Sequence, residues 1–279
     1  MKIGIIGLGL MGGSLALDLT RLGYEVIGVS RQLSTCNIAF DRAIVSRASV
    51  DLEILAQTDL IFICTPIASI LPTLERLIKY LPPHVVITDV GSVKGSIVPQ
   101  ATELWSNFVG SHPMAGTANQ GIEAVESNLF KNAPCVITPL ENTPEKNVEI
   151  VKKIWQEVGC KIYMSSPETH DRAVAWISHL PVMISANLIN SCVNHENQEV
   201  VNLAKNLASS GFKDTSRVGG GNPELGLMMA QYNKAQLLNS LKEYQQNLSS
   251  IIEDIEQEKW SILEDILNKT QQERPNFLC

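Results

Sequence analysis

Six residues near the start of the chain constrain its fold more than any others. Gly7-Leu8-Gly9-Leu10-Met11-Gly12 stands directly after the apolar run Lys2–Ile6 and before a helical stretch, Gly13–Leu22, which a second apolar run, Glu25–Val29, follows. Strand, glycine turn, helix and strand in this order is the opening of a dinucleotide-binding βαβ unit. Gly7 permits the tight turn, Gly9 lets backbone approach a pyrophosphate, and Gly12 lets the helix pack close to the strand. The helix N-terminus supplies free N–H groups and a positive dipole end for phosphates. The whole turn, with Leu8, Leu10 and Met11, is the expected cofactor cradle. The second strand ends in Ser30-Arg31, 18 and 19 positions beyond Gly12. NAD sites usually carry Asp or Glu there for the ribose 2′-hydroxyl. A hydroxyl and a guanidinium suit a 2′-phosphate, so NADP is the expected cofactor.

Strand and helix signals alternate over the first 165 or so residues. Apolar strands are expected at Asp59–Cys64, His84–Thr88, Phe108–Gly110, Cys135–Thr138 and Lys161–Met164, with helices at Ser69–Tyr80 and after Thr143-Pro144, where Thr143 is the expected cap. Continuous apolar strands separated by helices imply a Rossmann-type, mostly parallel sheet covered on both faces. The pattern changes at Ser165-Ser166-Pro167. Beyond it helices are expected at about 167–193, 196–210, 223–238 and 240–270, with Ser166 and Asn222 as caps before prolines. The chain therefore reads as α/β, with a dinucleotide-binding domain over 1–165 and an all-helical domain over 166–279. In the last helix Leu241, Tyr244, Leu248, Ile251, Ile252 and Ile255, then Ile262, Leu263, Ile266 and Leu267, recur at helical spacing. Part of that stripe packs within the chain, and the remainder suits a second copy, so a homodimer is expected.

The net charge of −7 argues against a nucleic-acid surface. The six cysteines, Cys36, Cys64, Cys135, Cys160, Cys192 and Cys279, form no CxxC pair, which argues against a zinc site or disulfide framework and for a reducing cytosol. Neither a secretory leader nor an apolar run of membrane-spanning length is read. A cytoplasmic protein without metal or membrane association is expected.

Ligands of doubly wound sheets sit beyond the carboxyl ends of the strands. Three polar segments fall there: Thr65-Pro66, Asp89-Val90-Gly91-Ser92-Val93-Lys94, and Gly110-Ser111-His112-Pro113-Met114-Ala115-Gly116-Thr117. Hydride removal from an alcohol needs a base for the hydroxyl proton, and His112 is the best of the five histidines for it. Ser92 is expected to orient His112 or touch the nicotinamide. Two further clusters lie in the helical part. One is His170-Asp171-Arg172 with Ser178-His179-Leu180-Pro181, where Pro181 disturbs the helix and aims His179 away from regular packing. The other is Lys213–Pro223, where Arg217 before a triple-glycine turn suits a carboxylate clamp.

Taken together, these segments resemble the prephenate/arogenate dehydrogenase family over essentially the whole chain. The resemblance implies an N-terminal dinucleotide domain, a C-terminal helical dimerisation domain, an active site between them, and no metal. It implies oxidative decarboxylation of a cyclohexadienyl ring. His112 takes the C4 hydroxyl proton as hydride leaves C4, and loss of CO2 from C1 makes the ring aromatic. By the same resemblance Ser92 supports His112, Arg217 binds a substrate carboxylate, Asp214 holds Arg217, and His179 and Thr117 line the pocket. Some prephenate-using members have Glu where this chain has Ala118. With Ser30-Arg31, that departure resembles the NADP-dependent, arogenate-using branch. The alternatives are a prephenate dehydrogenase, a β-hydroxyacid-type dehydrogenase, and a non-catalytic NADP-binding redox sensor. The β-hydroxyacid type resembles a pattern with a catalytic Lys on the first long helix after the sheet, and Pro167–Leu180 has none.

Overall fold

The structure, a computed structural model, describes residues 1–117 and 119–278; Ala118 and Cys279 lie outside the described residues. Eight strands form one sheet: β1 (Lys2–Ile6), β2 (Glu25–Val29), β3 (Arg47–Ser49), β4 (Leu60–Ile63), β5 (Val86–Asp89), β6 (Phe108–Pro113), β7 (Pro134–Thr138) and β8 (Lys161–Met164). Their order is β3-β2-β1-β4-β5-β6-β7-β8, and the chain order reverses at β1. Five helices alternate with them: α1 (Leu10–Arg21), α2 (Leu33–Asp41), α3 (Ile67–Leu77), α4 (Val98–Leu104) and α5 (Glu145–Glu157).

Alternate strand residues point to opposite faces, and each face has its own core. Ile3, Ile5, Leu60 and Phe62 pack with Leu15 and Leu19 of α1 and with Val151 and Trp155 of α5. Ile6, Ile61, Ile63 and Ile87 pack with Ile70 and Leu74 of α3 and with Val98 and Ala101 of α4. The sheet is mostly parallel, as the uninterrupted apolar strands imply.

One strand breaks that rule. β6 runs parallel to β5 through Phe108 and Val109, then pairs antiparallel with β7 over Gly110–Pro113. The sequence suggests a strand ending at Gly110. The ladder with β7 carries it three residues further, so His112 sits inside a strand and not on a loop. Short β3 has no apolar run to mark it in the sequence. Thr143 does not cap α5, because its hydroxyl accepts the Leu140 N–H at 2.9 Å and leaves Pro144 at the cap.

Beyond β8 the described chain is helical: α6 (Pro167–Val174), a π-helical turn (Ala175–His179), α7 (Leu180–Val193), α8 (Gln198–Leu207), α9 (Ser210–Ser216), α10 (Pro223–Tyr232), α11 (Lys234–Glu256) and α12 (Trp260–Glu273). Ser166 and Asn222 cap α6 and α10 as expected. The single helix expected over 240–270 is two. Glu258 adopts φ 53°, and the Lys259 and Glu258 N–H groups donate to the Asp254 and Ile255 carbonyls, a Schellman stop without its usual glycine. The stretch Pro167–Val193, with 27 residues and mean hydropathy 1.2, is long and apolar enough to cross a membrane, which corrects the sequence reading on that point. It also carries His170, Asp171 and His179, all buried and hydrogen bonded.

Contacts divide the chain after Lys234 and not at 165/166. α6–α10 belong with the sheet in one compact unit, and the second unit runs from Ala235 onward.

Candidate active site

The glycine turn has the geometry that its sequence promises. Gly7 holds φ +97°, and a Cβ there would meet the Cys64 carbonyl oxygen at 2.6 Å. A Cβ on Gly12 would lie 1.9 Å from the Gly7 carbonyl oxygen. Gly9 caps α1 with no side-chain hydrogen bond, and a Cβ on it would project into open space. That open cradle over the helix N-terminus fits a pyrophosphate. Leu8 is buried beneath the turn, so it contributes backbone only, while Leu10 and Met11 are half-buried. At the end of β2, Ser30 is half-buried and Arg31 is exposed. Thr65 Oγ1, just past β4, is buried with no hydrogen-bond partner among the described residues, and Pro66 caps α3.

His112 projects from the antiparallel half of β6. Its Nδ1 lies 2.8 Å from Nε2 of His170 on α6, and His170 Nδ1 lies 2.8 Å from Asp171 Oδ1. The two Asp171 oxygens also accept the backbone N–H groups of Lys94 at 2.8 Å and Gly95 at 2.7 Å. With three donors around it the Asp171 side chain is an acceptor throughout. His112 is nearly enclosed, and its Nε2 makes no hydrogen bond among the described residues. Burial holds its imidazole well below the ordinary value, and the neighbouring His170, Lys94 and His179 add to that.

A second buried assembly supports the first. Lys94 is fully buried, pairs with the Asp89 carboxylate, and donates to the Ser111 carbonyl at 2.9 Å. Asp89 also accepts from the Gly91 N–H at 2.9 Å and the Ser111 N–H at 3.2 Å. The Ser111 hydroxyl donates to the Asp89 carbonyl at 2.6 Å and meets Trp155 Nε1 at 3.0 Å. These bonds join the end of β5 to β6 beside His112. Burial pulls the Lys94 ammonium downward and the Asp89 carboxylate opposes it.

His179 reaches the same place by way of the π turn. His170 and His179 are nine residues apart, about two and a half α-helical turns, which would set them on opposite sides. The π turn spends extra residues per turn and brings His179 round. Pro181 has no N–H to return to Ile177, so the helix is already one bond short there. His179 is fully buried, with its Nδ1 3.2 Å from Asn233 Nδ2, and burial takes its imidazole down to about 4.

Other expected site residues stand apart from this cluster. The Ser92 hydroxyl is buried with no hydrogen-bond partner among the described residues, so His170 and not Ser92 orients His112. Thr117 is exposed, and its hydroxyl accepts the Asn119 N–H at 3.2 Å. Asp214 and Arg217 are exposed at the end of α9 and form no ion pair with each other, which corrects the expectation that one holds the other. The turn after Arg217 docks on α7, where the Gly219 N–H donates to Ser185 at 2.8 Å. The sequence reading noticed His170-Asp171 and Lys94 without giving them roles, and missed Asn233.

Residues 15–164 match the family model for the prephenate dehydrogenase nucleotide-binding domain, and residues 166–269 match that for the prephenate dehydrogenase dimerization domain. The chain belongs to the prephenate dehydrogenase family. As in its relatives, the match is to an oxidoreductase whose N-terminal part binds a nucleotide. The family's prephenate dehydrogenase from Bacillus subtilis (strain 168) is 31% identical over 261 residues, 91% of this chain and 70% of that protein. The crystal structure of Synechocystis arogenate dehydrogenase is 53% identical, with a TM-score of 0.91 over 99% of this chain and 100% of that one. A prephenate dehydrogenase from A. aeolicus, solved with hydroxyphenyl propionate and NAD+, is 27% identical with a TM-score of 0.93 over 99% and 98%.

Proposed function

We propose that the chain oxidatively decarboxylates arogenate to tyrosine with NADP. The observation that carries the chemistry is the His112–His170–Asp171 line. Asp171 only accepts, so His170 carries its proton on Nδ1. His170 Nε2 then accepts from His112 Nδ1–H, which leaves a lone pair on His112 Nε2. That atom takes the C4 hydroxyl proton, and burial keeps it unprotonated and ready at neutral pH. The imidazolium formed is steadied through His170 by the Asp171 carboxylate. A bound nicotinamide supplies the hydride acceptor. Electrons of the C1–carboxylate bond move into the ring as CO2 leaves, and the aromatic product makes the step downhill.

Gly7, Gly9, Gly12 and the N-terminus of α1 would hold the pyrophosphate, Ser30 and Arg31 the 2′-phosphate. The hydroxyls of Thr65 and Ser92, without partners among the described residues, are free to meet the nicotinamide half, and exposed Arg217 to meet a substrate carboxylate. Similarity to the Synechocystis enzyme supports arogenate. The prephenate reading is favoured by the name of the Bacillus relative. The division into domains at 165/166 is supported by where the two family matches meet. A homodimer is supported by the match of the helical part to a dimerization domain, and by exposed Leu248, Ile252 and Ile255. A reducing, cytoplasmic location fits five described cysteines with free thiols.

The test is an assay of arogenate and prephenate with NADP and NAD, following absorbance at 340 nm. The NADP–arogenate pair should give the highest kcat/KM, and His112→Asn should lower turnover by about 10²–10⁴-fold with cofactor affinity kept. Absence of reduced cofactor in all four combinations would refute the reading.

A further inference from the structure

The second buried histidine has its own orienting partner. Asn233 Nδ2 lies 2.8 Å from the Asp171 backbone carbonyl and 3.2 Å from His179 Nδ1. A carbonyl only accepts, so the Asn233 atom facing it is the amide NH2. The same nitrogen has only protons to offer His179, so His179 Nδ1 must be the acceptor. In the neutral ring the remaining proton is then on Nε2. That atom is buried and has no hydrogen-bond partner among the described residues. A buried donor left without an acceptor in a fold that satisfies its neighbours marks a place for a ligand oxygen.

We propose that Asn233 is a positioning residue that locks His179 with its proton on Nε2, so that the ring offers the substrate one neutral N–H and no lone pair. This rests on the reading above that His179 contacts substrate. It narrows that contact: the group facing His179 is a carboxylate, carbonyl or hydroxyl oxygen and not an ammonium. Arogenate therefore meets His179 through an oxygen, with its amino group elsewhere. The titratable groups that face His179 are Asp171 and His170 on α6 and His112 on β6. Burial keeps the ring neutral against the pull of Asp171.

The test combines spectroscopy with kinetics. In protein labelled with 15N-histidine, the His179 signals, assigned by their loss in His179→Phe, should report a neutral ring protonated at Nε2 near pH 7. A proton on Nδ1, or an imidazolium, overturns the proposal without any change to Asn233. Asn233→Asp replaces the donor with an acceptor and draws the proton to Nδ1. As the ring loses its second proton with rising pH, a lone pair then faces the substrate. KM for arogenate should rise at least about tenfold between about pH 6 and pH 8, while kcat keeps the parent's acid limb. Asn233→Leu should raise KM without adding that pH dependence. If both variants lower kcat and leave KM and its pH profile unchanged, Asn233 is structural only and the proposal fails. If His179→Phe itself leaves KM unchanged, the substrate contact fails instead, so the two failures are distinguishable.

Discussion

His112 Nδ1 lies 2.8 Å from His170 Nε2, and the far nitrogen of His170 lies 2.8 Å from an oxygen of Asp171. Protons can occupy this line in one arrangement that leaves His112 basic on its open side. Asp171→Asn puts an amide where only an acceptor fits. Its NH2 would push the His170 proton to Nε2 and turn His112 Nε2 into an N–H. Turnover should fall by about 10²–10⁴-fold with cofactor affinity retained. A steady-state kcat within about threefold of the parent would remove the line from the mechanism.

Lys94 and Asp89 are both fully buried and paired. Removing one partner strands the other away from water. Lys94→Met should lower unfolding stability by about 3–5 kcal/mol, read from urea titration followed by fluorescence. A loss below about 1 kcal/mol would mean that the backbone N–H groups of Gly91 and Ser111 alone satisfy Asp89.

His112 and His179 are held neutral in the fold, below their unfolded value of about 6.5. Between those values the unfolded chain binds more protons, so stability is full above about pH 6.5 and is lost as pH falls. For His179, down at about 4, the loss by that pH is on the order of 3 kcal/mol. Thermal unfolding midpoints should drop from pH 7 to pH 5, and less steeply in His179→Asn. Equal midpoints at the two pH values would contradict the burial of these rings as neutral species.

Ser30 and Arg31 stand where a ribose 2′-substituent would be read. Ser30→Asp with Arg31→Ala removes the phosphate partners and adds a repelling carboxylate. The ratio of kcat/KM for NADP to that for NAD should fall by more than about tenfold. An unchanged ratio would place cofactor choice on other contacts.

The nucleotide cradle was legible because its cause is local. Gly7, Gly9 and Gly12 are needed by a turn of six residues, and the turn has that shape. The base was legible as a residue but not as a device. His112 meets His170 across 58 positions, and Asn233 meets His179 across 54, so only the tertiary fold joins them. The second half of β6 is not legible, because Gly-Ser-His-Pro reads as loop until β7 offers it a partner. The break at Glu258 carries no glycine or proline to announce it. Lys94 stands in a polar strand-end segment, but its role was not legible, since its burial depends on Asp89 and Ser111 closing over it.

The π turn at Ala175–His179 leaves this enzyme open to an unusual kind of genetic damage. Loss of one codon within Trp176–Ser178 is expected to restore ordinary helical spacing yet leave His179 near its present bearing, because eight α-helical steps from His170 turn about 800°, roughly what the π turn covers in nine. Gain of one codon there would instead swing His179 by about 100° and carry its Nε2 away from the site. Selection at this stretch therefore acts on residue count as well as residue type.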